Sequence, residues 1–342
     1  MTDVALAFDL GGTELRAAMV SSAGEILSFL SVPTMAKEGP AAVLGQMEKL
    51  AAEILLRSPG MAPIGIGVGA PGPLDPLSGI VIAPPTLTGW HEVPLLALLS
   101  ERLGLPAKLE NDANAAAIGE WRHGAGRGAT SVAFVTVSTG IGGGIVADGR
   151  ILHGRRGLAG EIGHMTITSH GDRCFCGAIG CFEAVASGTA LGKRATADTR
   201  PFDGSKLRAL SADGDVTGRH VVEAARAGDP QALELLSVEA HWLGVGFTNL
   251  LHLYSPDIIV MGGGISNGFD LLESGIRATV EERAMSAYRS VPIVAAELGR
   301  HAGLVGAASL ILHGDGGPAL APDPSRNSGA ESPADLKEAR HG

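Results

Sequence analysis

Two stretches of this chain share one layout. VALAFDLGGTELRAAMV (residues 4–20) and SVAFVTVSTGIGGGIVADG (131–149) each read as a β-favouring run, a glycine turn where positive φ is cheap, and a second β-favouring run. A polar residue stands just before each turn: Asp9 in the first, Ser138 and Thr139 in the second. Such a repeat predicts two similar α/β halves facing each other across a cleft, which is a good place for a ligand.

The intervening segments fit that plan. A helix is predicted near 40–57, a buried strand in IGIGVGAPGP (64–73) and a proline-rich loop in APPTLTGWHEVP (83–94). The strand-like PAKLEND (106–112) then runs into ANAAAIGEWRHG, whose alanines favour helix, so Asn111 and Asp112 sit at a strand-to-helix junction. Further on, EAVASGTALGKRA reads as one helical stretch and a long amphipathic helix is predicted from Asp229 to Tyr254. SPDIIVMGGGIS (255–266) reads as a third strand ending in glycines, followed by the helical FDLLESGIRATVEERA. Beyond His313 the chain is rich in Gly, Pro, Ser and charge and can bury almost nothing, so residues 314–342 are expected to be a disordered tail.

Composition narrows the function classes. At 342 residues, 45% of them apolar, the chain can fill two cores, and its 50 glycines are about twice the usual share of roughly 7%. A net charge of −10 without a Lys/Arg cluster repels phosphate backbones and argues against nucleic acid as a partner. No run reaches the roughly 18 uninterrupted apolar residues of a membrane span, and the N-terminal decapeptide carries Asp3 and Asp9 rather than a basic leader, so a cytoplasmic protein is expected.

Three constellations carry chemistry. Glycine turns after strands, as in DLGGT (Asp9, Gly11, Gly12, Thr13), TGIGGG (Thr139, Gly140) and MGGGIS (Gly262, Gly263, Gly264), let backbone N–H groups approach phosphate oxygens. One alone equally makes a hairpin; none continues into the Gly-Lys-Ser/Thr of a Walker loop. Asp112 in LENDANAA could be a helix cap or, meeting a substrate hydroxyl, a base for in-line attack on a γ-phosphate. All three cysteines, Cys174, Cys176 and Cys181, fall within CFCGAIGC, and an imidazole beside them completes a closed, structural zinc set. That imidazole is His164, with His170 as the rival. Glu161 and Glu183 bracket the cluster as paired acceptors suited to sugar hydroxyls.

Taken together, DLGGT, GVGAPGPLD, ENDANAA, TGIGGGI, EIGH, C-x-C-G-x-x-G-C-x-E and IVMGGG occur in an order that resembles the ROK family (repressor, open reading frame, kinase) of sugar kinases, over residues 4 to about 312. The resemblance implies an actin-like, ribonuclease-H-like α/β fold with two domains flanking a cleft. The small domain would be 1–112, with a C-terminal helix at about 302–313 packed on it, and the large one 113–301. It implies ATP-dependent phosphorylation of a hexose 6-hydroxyl, glucose first, with Mg²⁺ and structural Zn²⁺. Asp112 would be the general base, and Asn111, Glu161, His164 and Glu183 would hold the sugar. Asp9, Gly11, Gly12, Thr13, Thr139 and Gly140 would surround the phosphates and Mg²⁺, and Gly262, Gly263 and Gly264 would lie near the adenosine. A homodimer follows by the same analogy.

Two positions depart from the family pattern: Thr86 where Asn is common before Gly-Trp, and Glu14 where Lys or Asn commonly follows GGT. The first leaves the choice among glucose, N-acetylmannosamine and N-acetylglucosamine open; the second puts a carboxylate beside phosphates unless it turns away. A repressor of the family would need a DNA-binding unit ahead of a phosphate loop that here already begins at residue 9, and a non-catalytic sugar sensor would not need every acidic element present.

Overall fold

The computed structural model describes residues 3–198, 205–210 and 215–314; beyond Gly314 the expected tail lies outside the described residues. In chain order the first half holds β1 (Val4–Leu10), β2 (Glu14–Ser21), β3 (Ile26–Pro33), α1 (Pro40–Arg57), β4 (Ile66–Ala70), β5 (Leu74–Asp75), β6 (Ile80–Val81), α2 (Leu95–Leu103), β7 (Ala107–Asn111) and α3 (Asp112–His123). The second holds β8 (Val132–Val137), β9 (Ile141–Ala147), β10 (Arg150–Ile151), α4 (Phe182–Ala186), α5 (Gly188–Ala197), α6 (Lys206–Leu210), α7 (Gly218–Arg226) and α8 (Pro230–Tyr254), then β11 (Ile258–Gly262), α9 (Phe269–Arg283), β12 (Ile293–Ala295) and α10 (Ala302–Leu312).

The repeat in the sequence is a repeat of topology. One sheet runs β3-β2-β1-β4-β7 and the other β10-β9-β8-β11-β12. In each, three antiparallel strands are followed by two parallel ones, joined on through β1–β4 and β8–β11. This duplicated pair of mixed five-stranded sheets is the α/β fold expected.

Strand alternation then decides which helix covers which face. On β1, Val4, Leu6, Phe8 and Leu10 join the core under α1, built with Val43, Leu44, Met47, Leu50 and Ile54 at helical spacing. The opposite face of β1 and β2 is smaller, with Ala5, Ala7, Ala18 and Val20, and it receives Leu304, Val305, Ala307 and Ala308 of α10. In the second sheet Ala133, Val135 and Val137 face a large core with α5, α7, α8 and α9, while Val132 and Phe134 face Ala117, Ile118 and Trp121 of α3. Each sheet's last helix therefore crosses to the other sheet: α3 lies on β8 and β9, and α10 on β1 and β4.

The crossing is close because it lacks side chains. A Cβ at Gly306 would overlap the carbonyl of Ala115, and one at Gly67 that of Ala307. Two features depart from the sequence reading. EAVASGTALGKRA is two helices, because Ser187 is extended (φ −82°, ψ 164°): its backbone ends α4 and its hydroxyl accepts from Ala190 N–H to start α5. The strand β3 and the short β10 and β12 complete the sheets without an alternation strong enough to announce them. Among the described residues no helix is long and apolar enough to cross a membrane.

Candidate functional site

The junction of β7 and α3 settles which side chain caps the helix. Asn111 Oδ1 accepts from Ala113 N–H (3.0 Å) and Asn114 N–H (3.3 Å), which is the N-cap role. Asp112, one residue on, accepts from its neighbour Ala113 N–H at 2.8 Å. Its carboxylate opens to solvent while protein crowds it on the other sides. Loss of hydration there, then the like charges of Asp9 and Glu161, raise its pKa to about 6. Three acids from three separate segments thus share one cleft. The backing wall is β4 and the turn that follows it, where Gly72 approaches Asn111 Nδ2 and Gly69 the Asp112 Cα.

Asp9 is the penultimate residue of β1, opposite Arg16 in the β1–β2 register, and accepts from Arg16 Nη1 at 3.2 Å. Burial raises its pKa and Arg16 opposes that rise. Glu14 turns away from the glycine turn: it accepts from the Ser31 hydroxyl and from the Arg16 guanidinium, and these bonds lower its pKa. The unfavourable carboxylate beside the turn is thereby removed. Thr13 is exposed at the turn, Gly11 N–H donates to Glu14 C=O (3.0 Å), and Gly12 lies against Thr86, whose Cβ is 2.7 Å from where a Gly12 Cβ would stand. Thr86 and the first glycine turn are therefore in direct contact.

On the second turn, Glu183 accepts from Ile141 N–H at 3.1 Å and fills the space beside Gly140, so that any side chain at 140 would collide with it. Its other oxygen faces Cys174 Sγ at 3.9 Å. Glu183 thus ties the cysteine turn to the second glycine turn, and one of its two oxygens is already engaged.

The donor atoms of His164, Cys174, Cys176 and Cys181 all lie within 4.8 Å of one another. Cys174 Sγ is 3.6 Å from His164 Nδ1, and Cys176 Sγ is 3.6 Å from Cys181 Sγ. A tetrahedron with Zn–S near 2.3 Å has edges of about 3.8 Å, so this donor set and spacing suit zinc. His170 is outside the cluster, exposed beside Ser169. The His164 ring is shared in direction: Nδ1 faces the thiols, and Nε2 lies 4.0 Å from Glu161.

Thr139 and Gly264 face a further cavity of about 760 Å³, together with Ser138, Thr189, Lys193 and Asn267. Gly262 and Gly263 do not; the first is buried against Phe134, and the second, exposed and at φ +86°, passes close to the Val137 backbone. The α5 and α7 contributions to this cavity were missed in the sequence, because Thr189 and Lys193 on α5 and Arg219 on α7 look like any solvated helix face. Arg16 was missed too, although the hairpin register places it opposite Asp9.

The ROK family profile matches residues 5–313 of this chain. A glucokinase from Thermotoga maritima is 36% identical over 311 residues, 90% of this chain and 97% of that protein. An N-acetylmannosamine kinase from Shigella boydii is 33% identical over 310 residues, 89% of this chain and 97% of that one. Among solved structures, a ROK family glucokinase from Streptomyces griseus in complex with glucose and AMPPNP superposes with a TM-score of 0.77 at 35% identity, covering 90% of this chain and 98% of that one. With the duplicated sheets, the capped Asn-Asp junction and the His-Cys cluster in place, the chain belongs to the ROK family.

Proposed function

We propose that this protein is an ATP-dependent hexose kinase that phosphorylates the 6-hydroxyl of a hexose, glucose by preference. The observation that carries the reading is Asp112: relieved of capping by Asn111, facing a cleft shared with Asp9 and Glu161, and raised to about 6. At neutral pH it is ionised yet basic enough to take a proton late in the transfer. The sugar oxygen forms a bond to the γ-phosphorus as the bond to the β–γ bridging oxygen breaks; ADP leaves, and the hydroxyl proton passes to Asp112 Oδ.

Asn111 Nδ2, Glu161 and His164 Nε2 would orient the hydroxyls, with the Glu183 oxygen that faces Cys174 behind them. The two glycine turns, with Thr13 and Thr139, would direct N–H and O–H donors at phosphate oxygens, where charge grows in a loose transition state. Asp9, desolvated and acidic, is the residue that would hold Mg²⁺, which supplies charge neutralisation on the phosphates when bound. The 760 Å³ cavity beside Thr139 and Gly264 would take the adenosine. Zn²⁺ held by His164, Cys174, Cys176 and Cys181 would be structural, because four protein donors close its tetrahedron. The cleft would separate domains 1–112, carrying the 302–313 helix, and 113–301.

N-acetylmannosamine or N-acetylglucosamine is the second candidate substrate; the 33% identity to an N-acetylmannosamine kinase favours the former, and Thr86 in place of Asn leaves the choice open. A panel of glucose, mannose, N-acetylglucosamine and N-acetylmannosamine with Mg-ATP, read by coupled ADP release, decides. Turnover is expected with glucose foremost; no ADP release on any member would refute the kinase.

A further inference from the structure

Directly behind the Asn111–Asp112 junction lies a buried acid that the mechanism above does not use. Glu110, the penultimate residue of β7, has a side chain only 3% exposed. Its Oε1 accepts from Asn111 N–H (2.9 Å) and Asn114 Nδ2 (3.0 Å). Its Oε2 is bound at 2.6 Å by His153 Nε2. A buried carboxylate needs such partners; the informative point is where the last one comes from. Glu110 belongs to the first sheet, whereas His153 follows β10 of the second. The bond behind the junction therefore joins the two halves of the molecule.

His153 also opens a strap that ends at the substrate side. Ala159 N–H donates to His153 C=O at 3.0 Å, closing the loop on itself, and Gly157 leans on Pro76 and the Leu74 carbonyl of the first half. Ile162 N–H donates to Gly160 C=O, and between them stands Glu161, whose charge acts on Asp112. One end of the strap thus holds the strand behind Asp112, and the other brings a carboxylate in front of it.

We propose that His153 is a positioning residue for phosphoryl transfer: from the second half it fixes Glu110, and through Glu110 the Asn111–Asn114 backbone that aims Asp112, so that the base is aligned only when the two halves are correctly set. This rests on the kinase reading. A partner from within the first half would have satisfied Glu110 equally well; one from across the cleft makes the alignment depend on closure.

The test is steady-state kinetics on the full chain for His153→Leu, which removes the bond, and His153→Gln, which keeps a donor. His153→Leu should lower kcat by about 10- to 100-fold, the effect of a displacement on the order of 1 Å, with KM for Mg-ATP within about twofold of wild type. His153→Gln should recover most of the loss. A folded His153→Leu protein with unchanged kcat, an equal rise in KM for Mg-ATP, or a Gln variant no better than Leu would overturn the proposal. Should His153→Leu not fold, a Glu110→Gln/His153→Ala cycle replaces it: less than multiplicative losses in kcat support the pair, and fully multiplicative losses refute it. A wild-type protein inactive on every hexose would refute the kinase reading alone. The positioning is then read from the amide signals of Asn111 and Asn114 by NMR, which shift in either His153 variant if the pair holds them and stay if it does not.

Discussion

The helices α3 and α10 occupy matching places, each following the last strand of its own sheet and crossing to the other, yet they begin differently. The first starts on a polar pair in which Asn111 caps and Asp112 faces the cleft. The second starts with no side-chain cap and presents Gly303 to the Asp9 carboxylate, 3.3 Å from where a Cβ would stand. Duplication built a symmetric frame, and the chemistry was placed on one copy only. The smooth start of α10 leaves room for Asp9, so the plain copy serves the acid of the other half.

The contrast can be attacked most severely at Asp112. Asp112→Asn should lower kcat by roughly 10²- to 10⁴-fold, the usual contribution of a positioned base, with stability unchanged or raised because the ionised acid is disfavoured where it stands. Wild-type kcat/KM should fall about tenfold per unit below a midpoint near pH 6, since the protonated acid cannot accept the hydroxyl proton. An active Asn variant, or a rate flat down to pH 5, would make the two helix starts equivalent after all.

Metal removal comes next. Stripping the cluster with a chelator should release His164 and weaken glucose binding at least about tenfold, as expected from losing one charged hydrogen bond of roughly 1.5–3 kcal/mol, while nucleotide binding persists. Calorimetry with each ligand separates the two. Sugar affinity intact in metal-free protein would mean that the cysteine turn holds nothing for the site.

The far ends of the same helices supply a third measurement. His123 closes α3 and His313 follows α10, with ring centroids 5.4 Å apart. Burial, then the neighbouring His313, lowers His123 to about 4. Its folded value is depressed below the ordinary 6.5, so the unfolded chain takes the proton first. Stability is therefore unaffected above pH 6.5 and is lost as pH falls, by up to about 3 kcal/mol near pH 4. Denaturant melts of wild type and His123→Gln across that window should converge at low pH.

The smallest effect expected is at the crossing. Gly306→Ala and Gly119→Ala would each drive a Cβ into the facing helix backbone, at the carbonyls of Ala115 and Ala302 respectively. Each should cost about 1–3 kcal/mol and lower Tm by several degrees, with similar losses from the two helices. A large difference between them would show that one crossing contact dominates.

Much of this was legible before any coordinates, wherever the chemistry is local. Asp9 with Gly11 and Gly12, the Asn111–Asp112 pair and the three cysteines each sit within a few residues, and their types admit few uses. Other features were hidden because they depend on distant partners. Ser187 breaks one apparent helix into two, and Glu14 is turned aside by hydrogen bonds from Ser31 of β3 and from Arg16. The side chains of Thr189 and Lys193 gain meaning only from the turn opposite them.

Glycine turns, a capping amide and clustered thiols express backbone and metal preferences that need no long-range context, so the order of residues alone was enough to announce two strand-turn-strand halves, an acid at a helix start and a zinc-type turn. Which acids share the cleft, that Asp112 is crowded enough to titrate near 6, and that His153 reaches Glu110 across the halves were decided by tertiary packing. The reason is that burial and charge–charge distance are properties of segments brought together, and no single segment carries them.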